Sequence, residues 1–332
     1  MAVPADGGNP PALIVAGPTC SGKSALALRL ARALGGTIIN ADAMQTYRDL
    51  RILTARPTPA EEAAVPHRLY GTRSAATPGT AASWRGEALA AMAQACGEGR
   101  LPILCGGTGL YFAALTQGLA EIPDPGAAAR EEARSLLAAL GPAALHEKLA
   151  GVDPVTAGRL RPTDGQRLAR AWEVFAGTGT GLAAWQAGAL LPPAPYRFFA
   201  VLLDPPRPGL RAAIAARFDA MLAAGALDEV KLLLAQGLDS AVPLLRAHGV
   251  PELAAHVRGE ITLGEAAARA VAATAAYTKR QATWFRHHAL AQPGHACTIN
   301  ARVDENEQFS ERILAITKHF LQNTVDAPHH GP

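Results

Sequence analysis

Cysteine is scarce in this chain and has no pattern. Cys20, Cys96, Cys105 and Cys297 form no CxxC pair, and no histidine cluster lies near them at metal-ligand spacing. That speaks against a cysteine-held metal centre and a disulfide framework, and the four thiols read as reduced, in a cytosolic setting. Long apolar runs are also lacking, and no stretch approaches the length needed to cross a bilayer. The opening MAVPADGGNPP has no positive segment, and the apolar run after it is too short for a signal peptide. A soluble, cytoplasmic protein without a membrane partner is expected. Charge bias is slight, at +3. It permits a nucleic-acid partner without demanding one, because a basic surface can hide in a near-neutral total. Lysine is rare beside arginine: Lys23, Lys148, Lys231, Lys279 and Lys318 are all there are. What the chain has in quantity is apolar residues, 49% of 332, enough for a sizeable core in one large domain or two smaller ones.

Along the chain, ALIVAG reads as a buried strand over 12–17, and 23–34 as a helix with Leu26, Leu30 and Leu34 on one face. TIINA (37–41) reads as a second strand with Asp42 just past its end. Ser83 to Gly97 reads as a helix with Ser83 as its N-cap, and LPILC (101–105) as a third strand. From 118 to 195 helices and turns follow with no convincing strand, bounded by IPDPG and LPPAP. The strand pattern returns in YRFFAVLL (196–203) and ends at Asp204. Helices then run to about His288, and an amphipathic helix and a polar tail close the chain. The fold class expected is α/β: a P-loop NTPase-like parallel sheet flanked by helices, with a helical insertion domain. The expected division is a disordered 1–11, a core from 12–117 and 196–302, an insertion over 118–195, and a C-terminal helix and disordered tail over 303–332.

The stretch Gly17-Pro18-Thr19-Cys20-Ser21-Gly22-Lys23-Ser24 matches GxxxxGK[ST] between a predicted strand and a predicted helix. The glycines let successive N–H groups point into one concavity. The helix N-terminus adds partial positive charge there. Lys23 adds a full charge, and the Ser24 hydroxyl can ligate Mg²⁺. The pattern specifies a diphosphate or triphosphate ligand without saying which. Asp42 and Asp204 end predicted strands, where carboxylates reach the ligand crevice of such sheets. CGGTGLY offers Gly106, Gly107 and Gly109 for close backbone approach, and the Thr108 hydroxyl. Arg207, Arg211 and Arg217 flank the helix after Asp204.

Taken together, these segments resemble the tRNA dimethylallyltransferase (tRNA isopentenyltransferase) family. GPTCSGKSALA is similar to its phosphate loop, and DAMQTYRDLRILTARPT to its DSxQxYxxxxIxTAKPT segment. VPH, SWRGEA, LPILCGGTGLYF, DGQRLARAWEV, RFDAMLAAGALDEV and AYTKRQATWFR follow in family order, from 17 to 286 overall. Ala43 stands where the family usually has Ser, Cys20 replaces a common Ala, Thr163 stands where Asn is frequent, and HGVPEL stands where GYKEL is usual.

The resemblance implies transfer of a dimethylallyl group from dimethylallyl diphosphate to the exocyclic amino group of the adenine 3′ of the anticodon. The tRNAs concerned read codons starting with U. It implies that Gly17–Ser24 hold the diphosphate, with Mg²⁺ at Ser24. Asp42, Thr19, Lys23 and Arg217 are then the catalytic residues. Asp42, Ala43, Met44, Gln45, Thr108, Arg130, Gln166, Arg167, Leu168, Ala169, Arg170, Lys279 and Arg280 contact the tRNA. A monomer is expected. A P-loop small-molecule or nucleoside kinase and an adenine-nucleotide isopentenyltransferase share the loop and are the alternatives. A non-catalytic RNA-binding module has no use for it.

Overall fold

The computed structural model describes residues 8–188, 190–303 and 307–322. The expected disorder of 1–7 and of the tail over 323–332 lies outside these residues, whereas Pro11, assigned to the disordered start, already begins the first strand.

Strand β1 (Pro11–Ala16) is wholly buried and leads through the glycine-rich loop into α1 (Lys23–Leu34). Next come β2 (Gly36–Asn40), a short 3-10 turn at Met44–Thr46, α2 (Pro59–Ala64), β3 (His67–Arg68), α3 (Ala81–Gly97), β4 (Leu101–Gly106) and α4 (Gly109–Thr116). The N-cap of α3 is Thr80, not Ser83. Thr80 Oγ1 accepts from the Ser83 N–H, and the Ser83 hydroxyl oxygen accepts from the Thr80 N–H, which closes a reciprocal capping box.

Residues 117–193 form a separate compact unit. It contains β5 (Leu119–Ala120), α5 (Gly126–Ala150), α6 (Pro154–Ala157), α7 (Gly165–Thr178), α8 (Leu182–Ala187) and β6 (Leu190–Leu191). The unit is not strand-free: β5 and β6 pair antiparallel at its two ends. Helix α5 breaks at Gly141, just before Pro142, so its two halves can pack separately. Leu145, Leu149, Leu168, Ala171 and Trp172 form its core.

The other unit resumes with β7 (Arg197–Leu203), α9 (Arg207–Ala223), α10 (Ala226–Ala235), a 3-10 turn at Pro243–Arg246, α11 (Val250–Val257), α12 (Leu263–His287), β8 (Ala296–Ile299) and α13 (Glu307–Gln322). The six-stranded sheet has order β3-β2-β4-β1-β7-β8 and is parallel throughout. Side chains alternate across it. Ala12, Ile14 and Ala16 face α3 and α4 with Trp84 and Phe112. Leu13 and Val15 face α1 and α13 with Leu26, Leu30, Ile313 and Phe320. A third cluster joins α9–α12 to the loop after β2 through Tyr47, Leu50, Phe218, Val230 and Leu253. With β1 in the middle of a parallel sheet, its C-terminal end opens into the crevice where such sheets bind ligands.

Candidate active site

The loop after β1 is held on several sides. Gly17 lies so close to β7 that a Cβ there would stand 2.8 Å from the Leu203 carbonyl oxygen. Cys20 adopts φ 65° and Gly22 φ 92°. The left-handed backbone at Cys20 costs a non-glycine residue about 1–2 kcal/mol, a strain typical of ligand-holding loops. Thr19 N–H donates to Gln281 Oε1 at 3.0 Å, and Ser21 N–H to the Pro18 carbonyl at 3.2 Å. The N–H groups of Gly22, Lys23 and Ser24 have no acceptor among the described residues, as the first turn of a helix requires. Ser21 Oγ is buried without a hydrogen-bond partner. An oxyanion seated in the loop would meet these donors.

Lys23 Nζ lies 3.4 Å from the Pro18 carbonyl. Burial lowers its pKa; Asp42, Cys105 and Cys20 oppose the fall, and Arg217 adds to it. Arg217, on α9, brings Nη1 to 3.7 Å from Cys20 Sγ and so reaches the loop. Ser24 is exposed and hydrogen-bonds the buried Cys105 thiol, whose pKa burial raises to about 11.

Asp42 is positioned by Asn40, a residue absent from the sequence-based site. Asn40 is completely buried at the end of β2. Its Oδ1 accepts from Asp42 N–H at 2.9 Å, and its Nδ2 donates to the carbonyls of Asp42 and Leu69. Trp84 Nε1 donates to the Asn40 carbonyl at 2.9 Å. Asp42 Oδ1 accepts from Met44 N–H at 3.0 Å, while Oδ2 has no partner among the described residues. One oxygen of the carboxylate thus accepts from the start of the 3-10 turn, and the other is left for a ligand. Its charge pushes the pKa of Lys23, His248, Tyr111 and Tyr277 upward, so all four lie within its electrostatic reach. Burial dominates for Tyr277 and Tyr111, raising both, and for His248, lowering it.

The Thr108 hydroxyl accepts from Ala43 N–H at 3.0 Å and so ties the β4 loop to the Asp42 loop. Gln45 uses its amide NH₂ on the carbonyls of Thr54 and Ala55, leaving only Oε1 for a ligand. Met44 is half-buried against the α9–α12 cluster. Glu229 accepts from the N–H groups of Arg51, Ile52 and Leu53 and pins the loop that follows.

On α12, Thr278, Gln281, Ala282 and Phe285 face inward. Gln281 joins two loops, since its Nε2 also donates to the Gly107 carbonyl at 2.9 Å. Trp284 packs on Gly109, where a Cβ would stand 2.2 Å from the indole. Lys279 and Arg280 are exposed. Lys279 lines a cleft of about 440 Å³ with Arg207, Arg211, Arg286 and Asp204. The Asp204 carboxylate lies 3.7 Å from Arg286 there. Arg280 lies over the Tyr277 ring and lowers the His248 pKa.

In the other unit, Asp164 caps α7 by accepting from Arg167 N–H. Gln166 and Arg167 are exposed, and Arg170 pairs with Glu173. Arg130 pairs with Asp124. Leu168, placed among the tRNA contacts, is fully buried in the unit's own core, with Ala169 packed partly against it.

A parallel sheet whose central strand runs through a phosphate loop into a helix is a P-loop NTPase-like fold, and a carboxylate faces the loop. Residues 45–288 match the family model described as IPP transferase. The chain is 59% identical over 332 residues to a tRNA dimethylallyltransferase of Gluconacetobacter diazotrophicus, covering 100% of both. It is 64% identical over 311 residues to one of Acidiphilium cryptum, covering 94% of each. A solved tRNA isopentenylpyrophosphate transferase from Bacillus halodurans superposes with TM-score 0.68 at 29% identity, over 96% of this chain and 99% of that one. A eukaryotic dimethylallyltransferase acting on tRNA gives TM-score 0.74 at 23% identity, over 95% and 80%, and supports the fold alone. The chain belongs to the IPP transferase family and is a transferase. No helix among the described residues is long and apolar enough to cross a membrane.

Proposed function

We propose that this site transfers the dimethylallyl group of dimethylallyl diphosphate to the exocyclic amino group of the adenine 3′ of the anticodon, in tRNAs reading codons that start with U. The observation that carries the reading is the free Oδ2 of Asp42 within electrostatic reach of Lys23. As the bond between the allylic carbon and the diphosphate oxygen breaks, its electron pair leaves with diphosphate. The loop amides, Lys23 and Arg217 stabilise that charge, and the Thr19 hydroxyl serves the bridging oxygen. The adenine nitrogen forms the new bond to carbon and gives its proton to Asp42. Flipping the base out of its stack costs a few kcal/mol, and single-stranded loops allow it. The exposed Gln166 and Arg167 and the half-buried Arg170 and Arg130 of the insertion, with the exposed Lys279 and Arg280 of α12, supply contacts to the RNA.

No group of three or more His, Cys, Asp or Glu suited to a metal occurs among the described residues. An exposed Ser24 hydroxyl at a helix N-terminus fits Mg²⁺ held chiefly by diphosphate oxygens and water. Bound there, Mg²⁺ would supply positive charge to the diphosphate. We propose a monomer acting in the cytoplasm.

Radiolabelled dimethylallyl diphosphate, offered with an anticodon stem-loop and separately with AMP, tests the proposal. Label on the stem-loop is expected. Label on AMP alone refutes the tRNA acceptor, and ATP consumption without prenyl transfer refutes the reaction.

A further inference from the structure

The C-terminal stretch after β8 lies against the phosphate loop. Val303 N–H donates to the Ser21 carbonyl at 3.1 Å, and Arg302 Nε donates to the Cys20 carbonyl at 3.1 Å. A Cβ on Gly22 would stand 1.9 Å from the Val303 carbonyl oxygen, so the two backbones touch where only glycine fits. The stretch is anchored from both directions. Asp204 N–H donates to the Ile299 carbonyl at 2.9 Å, and Ile299, Val303, Ile313 and Phe320 share one core cluster with Leu26 and Leu30 of α1.

A trans peptide points its C=O and N–H in opposite directions. The Ser21 carbonyl is turned to Val303, so the Gly22 N–H, on the same peptide, faces the other way, into the loop's concavity. The Cys20 carbonyl is turned to Arg302, and the Ser21 N–H on that peptide meets Pro18. Two carbonyl oxygens that would repel an anion are thereby held on the outside.

We infer that Arg302 and Val303 form a strap that orients the phosphate loop for diphosphate. They are positioning residues, Val303 through its backbone N–H and Arg302 through its guanidinium. The inference rests on the reading that the loop holds diphosphate.

The test is calorimetric titration of the full-length protein with inorganic diphosphate and Mg²⁺, beside titration with the anticodon stem-loop. Val303→Pro removes the donor, and Val303→Ala keeps it while trimming the side chain. Losing one backbone hydrogen bond and the orientation it sets is expected to weaken diphosphate binding about tenfold in Val303→Pro. Val303→Ala is expected to stay within about twofold and to melt lower. Stem-loop affinity should hold in both, which a general loss of structure would not allow. If Val303→Pro does not fold, Arg302→Met decides: diphosphate binding should weaken about threefold and return with Arg302→Lys. Unchanged diphosphate affinity in the folded variant overturns the strap. A parent protein that binds no diphosphate overturns the loop reading beneath it, and the two failures are distinguishable.

Discussion

Gln281 offers the sharpest test of how the site is assembled. It is 5% exposed and binds two loops at once, accepting from Thr19 N–H at 3.0 Å and donating to the Gly107 carbonyl at 2.9 Å. Two substitutions of similar size separate its roles. Gln281→Met fills the space but satisfies neither loop. A buried polar group left without a partner costs about 1–3 kcal/mol. Two such groups, partly relieved by water at the loop, give about 2–4 kcal/mol of lost stability. In a unit this large that is a fall of several degrees, at roughly 2–4 °C per kcal/mol.

Gln281→Glu retains the acceptor for Thr19 but has no proton for the Gly107 carbonyl, and it sets a carboxylate beside the anion cradle. Its effect should fall more on diphosphate than on folding. The Michaelis constant for dimethylallyl diphosphate is expected to rise more than about tenfold in Gln281→Glu and by less in Gln281→Met. Steady-state kinetics with a saturating stem-loop, paired with thermal melts, gives both readings. Equal Michaelis constants for Gln281→Glu and the parent would refute the placement of Gln281 against the diphosphate loop.

Three further outcomes are expected. Asp42→Ala should slow transfer by a factor on the order of 10² or more while stem-loop binding persists, and near-normal turnover would remove Asp42 from the chemistry. Glu229→Ala should free three backbone N–H groups of the loop after β2 and lower stability by roughly 3 kcal/mol, read from the denaturant midpoint. Burial lowers the His248 pKa from the usual 6.5, against Glu252 and Asp42 and with Arg280. The folded state therefore binds fewer protons than the unfolded chain, and the contribution of His248 to stability is present above about 6.5 and lost as the pH falls. Melts from about pH 7.5 to 5.5 should fall less steeply for His248→Gln than for the parent.

Some elements stood out in the sequence because one residue type carries each of them. Gly17 and Gly22 bracket a loop, Lys23 begins a helix, and Gly35 ends it, so β1, the loop and α1 fall within a residue of expectation. Other elements carry faint signals. Helix α2 contributes no buried residue, and the mark that could have found it is its capping box, Thr58 with Glu61. Strand β8 is short, with only Ile299 buried, and β3 has two residues, so neither shows an apolar run. At the site, Lys23, Asp42 and Arg217 were readable as charges that a core does not need. Asn40 and Gln281 were not. Each acts through backbone groups distant in sequence, or through a loop geometry that only the folded chain creates. On α7 the matched block has two faces, legible from its period: Leu168 and Ala171 turn inward while Gln166 and Arg167 face out.

The arrangement of charge bears on why a phosphate loop suits prenyl transfer. On one side stand the N–H groups of Gly22, Lys23 and Ser24, free among the described residues, with Lys23 itself and Arg217 near Cys20. On the other stands the Asp42 carboxylate, fixed by Asn40 and Met44. The site is positive toward the loop and negative toward Asp42 before any substrate enters. In the proposed reaction, ionisation of an allylic diphosphate separates charge in the same sense, with the anion at the loop and the cationic carbon toward the carboxylate. A field set in advance along the charge separation lowers the barrier without reorganising at the moment of reaction. In that reaction the incoming amine develops positive charge as it bonds, so a carboxylate that favours the cationic carbon also suits the proton leaving nitrogen. In a phosphoryl transfer the atom under attack is phosphorus, seated within the loop, so a base must act there. In the proposed reaction the attacked carbon lies one bond beyond the diphosphate oxygen, so the base is needed away from the loop, on the β2 end where Asn40 holds Asp42.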